Sequence, residues 1–187
     1  MVLVSAHDGY PRWLESGADF LEIDIRRAAD GTIVLSHDEL LPGAAHTTLD
    51  EALQSGSMLQ LDLKEPGYEI ELMGQALRTH RAAELVITTA NDESVRSVKE
   101  RFPQVRAGLT LGERLTSSTL QRIERCRADF IAVDEPYVRW FDPAPGPIWV
   151  WTVDDERRLR HYLRDQRIEA VITNRPDLAL RIRSGTA

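Results

Sequence analysis

The chain contains a single cysteine, Cys126, so no disulfide can close within it. Lysine is nearly missing too: 21 of the 23 basic residues are arginine, and only Lys64 and Lys99 remain. Positive charge is in deficit overall, with 23 basic against 30 acidic residues and a formal net charge of −7. A field of that sign repels polyanions and argues against broad nucleic-acid binding. No apolar run approaches the roughly 20 residues that cross a bilayer. The apolar stretch Val2 to Ala6 is too short for a signal-peptide core and lacks a basic flank, so cytoplasmic residence is the expectation. No G-x-x-x-x-G-K, G-x-G-x-x-G, G-x-S-x-G or paired C-x-x-C pattern occurs. What remains is ordinary globular material, 187 residues with 42% hydrophobic and 28% charged side chains, and the expectation is one domain spanning 1–187.

Eight short apolar or β-branched runs recur along the chain: Val2 to Ala6, Phe20 to Ile25, Met58 to Leu63, Leu85 to Thr88, Ala107 to Leu111, Phe130 to Val133, Ile148 to Thr152 and Ala170 to Thr173. Segments with helical spacing lie between most of them, among them Asn91 to Arg101, Thr116 to Cys126 and Asp155 to Gln166, the last behind Asp154 as a candidate N-cap. Strands alternating with helices argue for parallel strands joined by right-handed crossovers, and eight units predict a (β/α)₈ TIM barrel. The chain is short for that fold, so trimmed loops and short helices are expected. A turn at Asp30-Gly31 predicts a small hairpin after the second strand, returning through Ile33 to Leu35. Three prolines between Pro143 and Pro147 predict a loop.

Strand period two puts Glu22 and Asp24 on one face of the second run, and Gln60, Asp62 and Lys64 on one face of the third. In a barrel those faces point inward, and three carboxylates with an ammonium converge near the rim where enzymes of this architecture place their sites. Antiparallel strands with one wet face give the same alternation. Clustered carboxylates repel, and a hard divalent cation such as Mg²⁺ or Ca²⁺ suits an all-oxygen set. His7 ends the first run and His37 closes the hairpin, so both stand at strand ends, where a pair of imidazoles can divide proton transfers. His46, His80 and His161 read as surface residues, the last two in helices, and Cys126 reads as structural. Trp149 and Trp151 share one strand face, as core or as a pocket wall. Asp134-Glu135 read as helix-capping residues.

These residues form a series: His7-Asp8-Gly9, Gly17-Ala18-Asp19-Phe20-Leu21-Glu22-Ile23-Asp24, Asp30-Gly31-Thr32-Ile33-Val34, Ser36-His37-Asp38, Leu61-Asp62-Leu63-Lys64, Trp151-Thr152-Val153-Asp154 and Val171-Ile172-Thr173-Asn174-Arg175-Pro176-Asp177. The series resembles the glycerophosphodiester phosphodiesterase family, in order and over nearly the whole chain. The resemblance implies a barrel that cleaves phosphodiesters of glycerol with a divalent ion, Mg²⁺ or Ca²⁺, acting on a small-molecule phosphoester. It implies Glu22, Asp24 and Asp62 as metal ligands and His7 and His37 as the acid/base pair. Lys64 would contact the phosphate or the carboxylates, and Trp151 would line the substrate pocket.

Three positions depart from the family pattern. Asp8 replaces the arginine of its His-Arg-Gly, a change expected to weaken phosphodiester binding by about 1.5–3 kcal/mol if the side chain is buried. The Pro-Glu-Asn segment that follows is missing. The insertion that caps the glycerol pocket is absent, since His37 stands twenty-five positions before Asp62. Two further readings follow from the departures: a lyase or cyclase acting on another phosphoester or diphosphate, and a noncatalytic ligand-binding barrel.

Overall fold

Each apolar run becomes a strand. In the computed structural model, which describes residues 1–113 and 115–186, the strands are β1 (Leu3–Ala6), β2 (Phe20–Arg27), β3 (Ile33–Leu35), β4 (Leu59–Leu63), β5 (Leu85–Thr89), β6 (Arg106–Leu111), β7 (Phe130–Asp134), β8 (Ile148–Trp151) and β9 (Ile168–Thr173). All but β3 are parallel and pair in the order β1-β9-β8-β7-β6-β5-β4-β2. A ladder from β1 back to β2, with Ser5 opposite Phe20 and Ala6 opposite Leu21, closes the barrel. The short β3 runs antiparallel beside β2, joined through Gly31, whose φ of 91° suits glycine, while Asp30 Oδ1 accepts from the Thr32 amide at 2.9 Å.

Among the described residues six α-helices cover the strands: α1 (Leu49–Leu53), α2 (Glu69–Ala76), α3 (Asp92–Arg101), α4 (Thr119–Cys126), α5 (Glu156–Tyr162) and α6 (Pro176–Ser184). Their starts follow capping chemistry. Thr48 and Glu51 form a reciprocal box at α1, and Asn91 accepts from the Ser94 amide at α3. At α5 the cap is Asp155, which accepts from the Arg158 amide. Asp154 was the expected cap, but its side chain is already engaged by Thr173 and Asn174. No α-helix separates β1 from β2. Between β7 and β8 a 3-10 turn, Glu135–Trp140, precedes the proline-rich loop. Asp134 makes no side-chain cap there, and Glu135 instead binds Arg158 and Tyr162. No helix among the described residues is long and apolar enough to cross a membrane.

Alternation along each strand builds two apolar regions. Outward residues such as Ile23, Ile25, Leu61, Ile87, Leu109 and Val150 pack under the helices. His80, expected on the surface of a helix, lies beyond the end of α2 and is buried, its Nε2 3.1 Å from the Ser57 carbonyl. Inside the barrel, Phe20, Val86, Phe130, Ala132, Trp149, Ala170 and Ile172 form a plug. Phe130 stacks on Trp149 with ring centroids 4.7 Å apart, and the Trp149 indole donates to Glu169, which also pairs with Arg106. The inward positions then turn polar toward the strand ends: Phe20, Glu22, Asp24 on β2, and Val86, Thr88 on β5. A sealed floor thus supports a polar mouth.

Gly108 makes the plug possible, because a Cβ there would stand 2.3 Å from Cε2 of the buried Phe130 ring. Gly108→Ala is expected to destabilise the protein by about 1–3 kcal/mol through overpacking, read as a lower urea midpoint with unchanged m. A midpoint equal to the parent's would show that the plug is looser than this packing.

Candidate active site

Because inward side chains turn polar at the carboxyl ends of the strands, the barrel mouth opens as a cavity of ≈ 340 Å³. Its wall includes His7, Glu22, Asp24, His37, Asp62, Lys64 and Trp151. All seven residues singled out from the sequence therefore meet in one space. Trp151 lines it, whereas Trp149 one pleat below belongs to the plug.

Glu22 and Asp24 are each 4% exposed, so two adjacent inward positions of β2 hold carboxylates almost out of water. Asp62 stands opposite Asp24 in the β2–β4 ladder. Lys64 bridges the strands, with Nζ 2.6 Å from Asp24 Oδ1 and 2.7 Å from Asp62 Oδ2. Burial works against the ammonium, but Asp62 and Asp24 outweigh it and hold Lys64 above the usual lysine range. Glu22 has no such partner. Burial first, and then the charges of Asp24 and Asp62, push its carboxyl well above the usual range, against the Asp8 amide and Lys64, which favour the ionised form.

Two hydrogen-bond chains fix the surroundings. Ser5 Oγ donates to Gln60 Oε1 at 2.7 Å, Gln60 Nε2 donates to Thr88 Oγ1 at 3.3 Å, and Thr88 Oγ1 donates to Asp62 Oδ1 at 2.7 Å. On the other side, His7 Nδ1 lies 3.0 Å from Asn174 Oδ1, and Asn174 Nδ2 donates to Asp154 Oδ2 at 2.8 Å. His7 Nε2 is 4.0 Å from Glu22 Oε2. His37 sits on the more exposed side of the mouth, its ring 3.0 Å from Asp38 Oδ1. Its backbone carbonyl accepts from Arg26, which is paired in turn with Glu65 at 2.6 Å.

The donor set suits a hard divalent ion. One carboxylate oxygen from each of Glu22, Asp24 and Asp62 lies within 4.8 Å of the others. Of the two buried Asp24 oxygens, Oδ1 meets the Lys64 ammonium while Oδ2 has no hydrogen-bond partner among the described residues, which leaves it available to a cation. His7, Asp8 and Glu22 make a second close group, but His7 Nδ1 is already engaged by Asn174. Asp8 has a 59% exposed side chain and does not line the cavity, so its charge meets water. The tight turn beside it needs Gly9, where a Cβ would meet Leu21 Cβ at 2.7 Å. Sequence reasoning gave no site role to Asn174, Asp154 or Thr88. A signal existed in barrel closure, which makes the first and last strands neighbours and brings position 174 beside position 7.

Full-length structural neighbours of the chain are glycerophosphodiester phosphodiesterases. The Thermotoga maritima glycerophosphodiester phosphodiesterase matches with a TM-score of 0.79 at 22% identity, covering 98% of this chain and 99% of that one. A phosphodiesterase from Oleispira antarctica, in complex with the product sn-glycerol-3-phosphate, matches at 0.78 and 20%, covering 96% of each. A glycerophosphodiester phosphodiesterase from Parabacteroides distasonis matches at 0.78 and 18%, covering 98% and 97%. No protein-family model matches the sequence. No curated protein matches it either. At these identities the likeness establishes the fold.

The raised Glu22 carboxyl has a stability consequence. The folded state holds that proton more tightly than the unfolded state, so this group's contribution to stability falls as pH rises from the ordinary carboxylate range through the raised value. Glu22→Gln removes the charge, and its metal-free melting temperature is expected to exceed the parent's by about 2–4 °C at about pH 8, the shift that ~1 kcal/mol gives in a chain of this size. The gain should vanish near about pH 4, where the parent's carboxyl is protonated in both states. Melts in chelator check this, and a gain independent of pH would contradict it.

Proposed function

We propose that the protein is a metal-dependent phosphodiesterase that hydrolyses glycerophosphodiester-like substrates at the barrel mouth. The observation that carries this reading is the meeting of two histidines, three carboxylates, one ammonium and a tryptophan in one cavity. The fold shared with the phosphodiesterases, and the product named with one of them, support the substrate class.

The cavity's charges set the terms. With Glu22, Asp24 and Asp62 ionised, Lys64 leaves an excess of two negative charges that would repel a phosphodiester anion. A divalent ion held by Glu22, Asp24 and Asp62 would cancel that excess and supply positive charge to a nonbridging phosphoryl oxygen. Lys64 keeps Asp24 and Asp62 together and is spent on the carboxylates rather than on phosphate. His7 accepts a proton from the attacking water at Nε2, the ring nitrogen facing Glu22. His37, carried on the hairpin loop, gives a proton to the departing alcohol oxygen. Trp151 forms an apolar wall for the substrate. Asp8, exposed at the rim, opposes phosphate binding less than a buried anion would, because solvent screens it.

The test is ³¹P NMR of glycerophosphocholine with the protein and Mg²⁺ or Ca²⁺. Glycerol 3-phosphate is expected, and chelator should abolish its appearance. His7→Ala and His37→Ala are each expected to lower kcat by on the order of 10²–10⁴-fold. Water-derived ¹⁸O in the product supports hydrolysis, whereas a cyclic phosphate would replace it with an intramolecular lyase reaction. No turnover of any phosphodiester, with metal bound, would leave a binding barrel.

A further inference from the structure

Asp154, Asn174 and His7 follow three neighbouring strands, β8, β9 and β1, and their side chains form one directed chain. Asp154 has four oxygen lone-pair sites and, ionised, no proton to donate. Its Oδ1 accepts from Thr173 Oγ1 at 3.0 Å and from the Asn174 amide at 2.8 Å, and its Oδ2 accepts from Asn174 Nδ2 at 2.8 Å. Burial raises the Asp154 carboxyl, but the bonds from Asn174 and Thr173 prevail and hold it below the usual range. With Nδ2 committed to a carboxylate, Asn174 can present only its carbonyl oxygen to His7. That oxygen lies 3.0 Å from Nδ1, a distance at which two lone pairs would repel and an N–H is required.

We propose that Asp154 and Asn174 are positioning residues that hold neutral His7 in its Nδ1–H tautomer, so that Nε2 carries the lone pair on the cavity side. The inference rests on the reading of His7 as the proton acceptor and adds what makes it one. Asp155 rather than Asp154 caps α5, and the two other bonds to Asp154, from Thr173 Oγ1 and the Asn174 amide, both go to Oδ1, which an amide oxygen could equally accept.

A near-isosteric change tests the direction of the chain. In Asp154→Asn the new amide retains Oδ1 for Thr173 and the Asn174 backbone but places an NH₂ where Oδ2 stood. The Asn174 amide must then turn over, its NH₂ facing His7 and demanding a lone pair on Nδ1. The double variant D154N/N174D restores the order of donors and acceptors with the charge moved by one residue. Long-range ¹H–¹⁵N correlation spectra of the Mg²⁺-loaded protein, at about pH 8.5 where imidazole is neutral, read the tautomer of His7 directly. The expected result is Nδ1–H in the parent, Nε2–H in D154N and Nδ1–H again in the double variant. In parallel, kcat should fall on the order of 10²-fold in D154N with KM changed by less than about two-fold, and should recover largely in the double variant.

Nε2–H in the parent, or Nδ1–H retained in D154N, would overturn the proposal whatever the activity. Tautomers that follow the expected pattern in a protein without phosphodiesterase activity would sustain the positioning chain and remove the role proposed for His7. Should D154N fail to fold, Asn174→Ala replaces it: loss of the acceptor should yield a mixture of tautomers, and an unchanged Nδ1–H ring would count against the chain.

Discussion

Three carboxylates gathered around one ammonium are the constraint on which the rest of this structure depends. Like charges so close, and so far from water, oppose folding unless each is neutralised, bonded or protonated. The chain uses all three means. Lys64 joins Asp24 to Asp62, the Ser5–Gln60–Thr88 chain ends on the other oxygen of Asp62, and Glu22 is driven toward its protonated form. The cluster is tolerable because it lies at the open end of the barrel. One pleat deeper, the inward positions are occupied by the buried apolar side chains of Phe20, Phe130 and Trp149.

Shortness shapes the mouth. The crossover from β1 to β2 has no α-helix, and that from β7 to β8 has a 3-10 turn and prolines. Little protein is left to build a lid. His37 therefore stands on an exposed loop, and its backbone carbonyl is held by Arg26, which Glu65 pairs in turn. Under the proposed function this separates the two histidines by mechanics. His7 is held through its ring by a part-buried polar chain, and His37 through its peptide carbonyl by Arg26 and through its ring only by the exposed Asp38.

The barrel was legible in the eight strand-like runs separated by helical segments, and the carboxylate cluster in strand alternation, which reports which residues share a face. Glu22 with Asp24, and Asp62 with Lys64, could be placed together from period two alone. Strand boundaries were legible to within a residue or two, as in β2, which continues past Ile25 to Arg27 because β3 pairs with its end, whereas α4 starts three residues after Thr116 and α5 ends four residues before Gln166. Contacts between turns were not legible. Asp154 and Asp155 are chemically identical neighbours, and either could cap α5. Only the closed barrel, which brings Asn174 within reach of Asp154, decides that Asp155 caps and Asp154 turns inward. His80 was misplaced because its burial comes from the Ser57 carbonyl on a remote loop, which no local pattern reports.

Charge balance then constrains how the site can take an anion. Lys64 is the only lysine or arginine among the residues described as lining the cavity, and both of its short contacts go to carboxylates. Position 8, where an arginine would stand beside phosphate in the family that the sequence resembles, holds an exposed aspartate instead. Under the proposed reading no lysine or arginine among the described lining residues is left to pair with the phosphodiester. Anion binding and divalent-ion binding must therefore be coupled: each favours the other, and by linkage the coupling is equal in both directions. A site with its own arginine can hold substrate before metal. In this one, under the proposed reading, substrate affinity would follow how tightly three carboxylates hold the ion against the competing Lys64 ammonium.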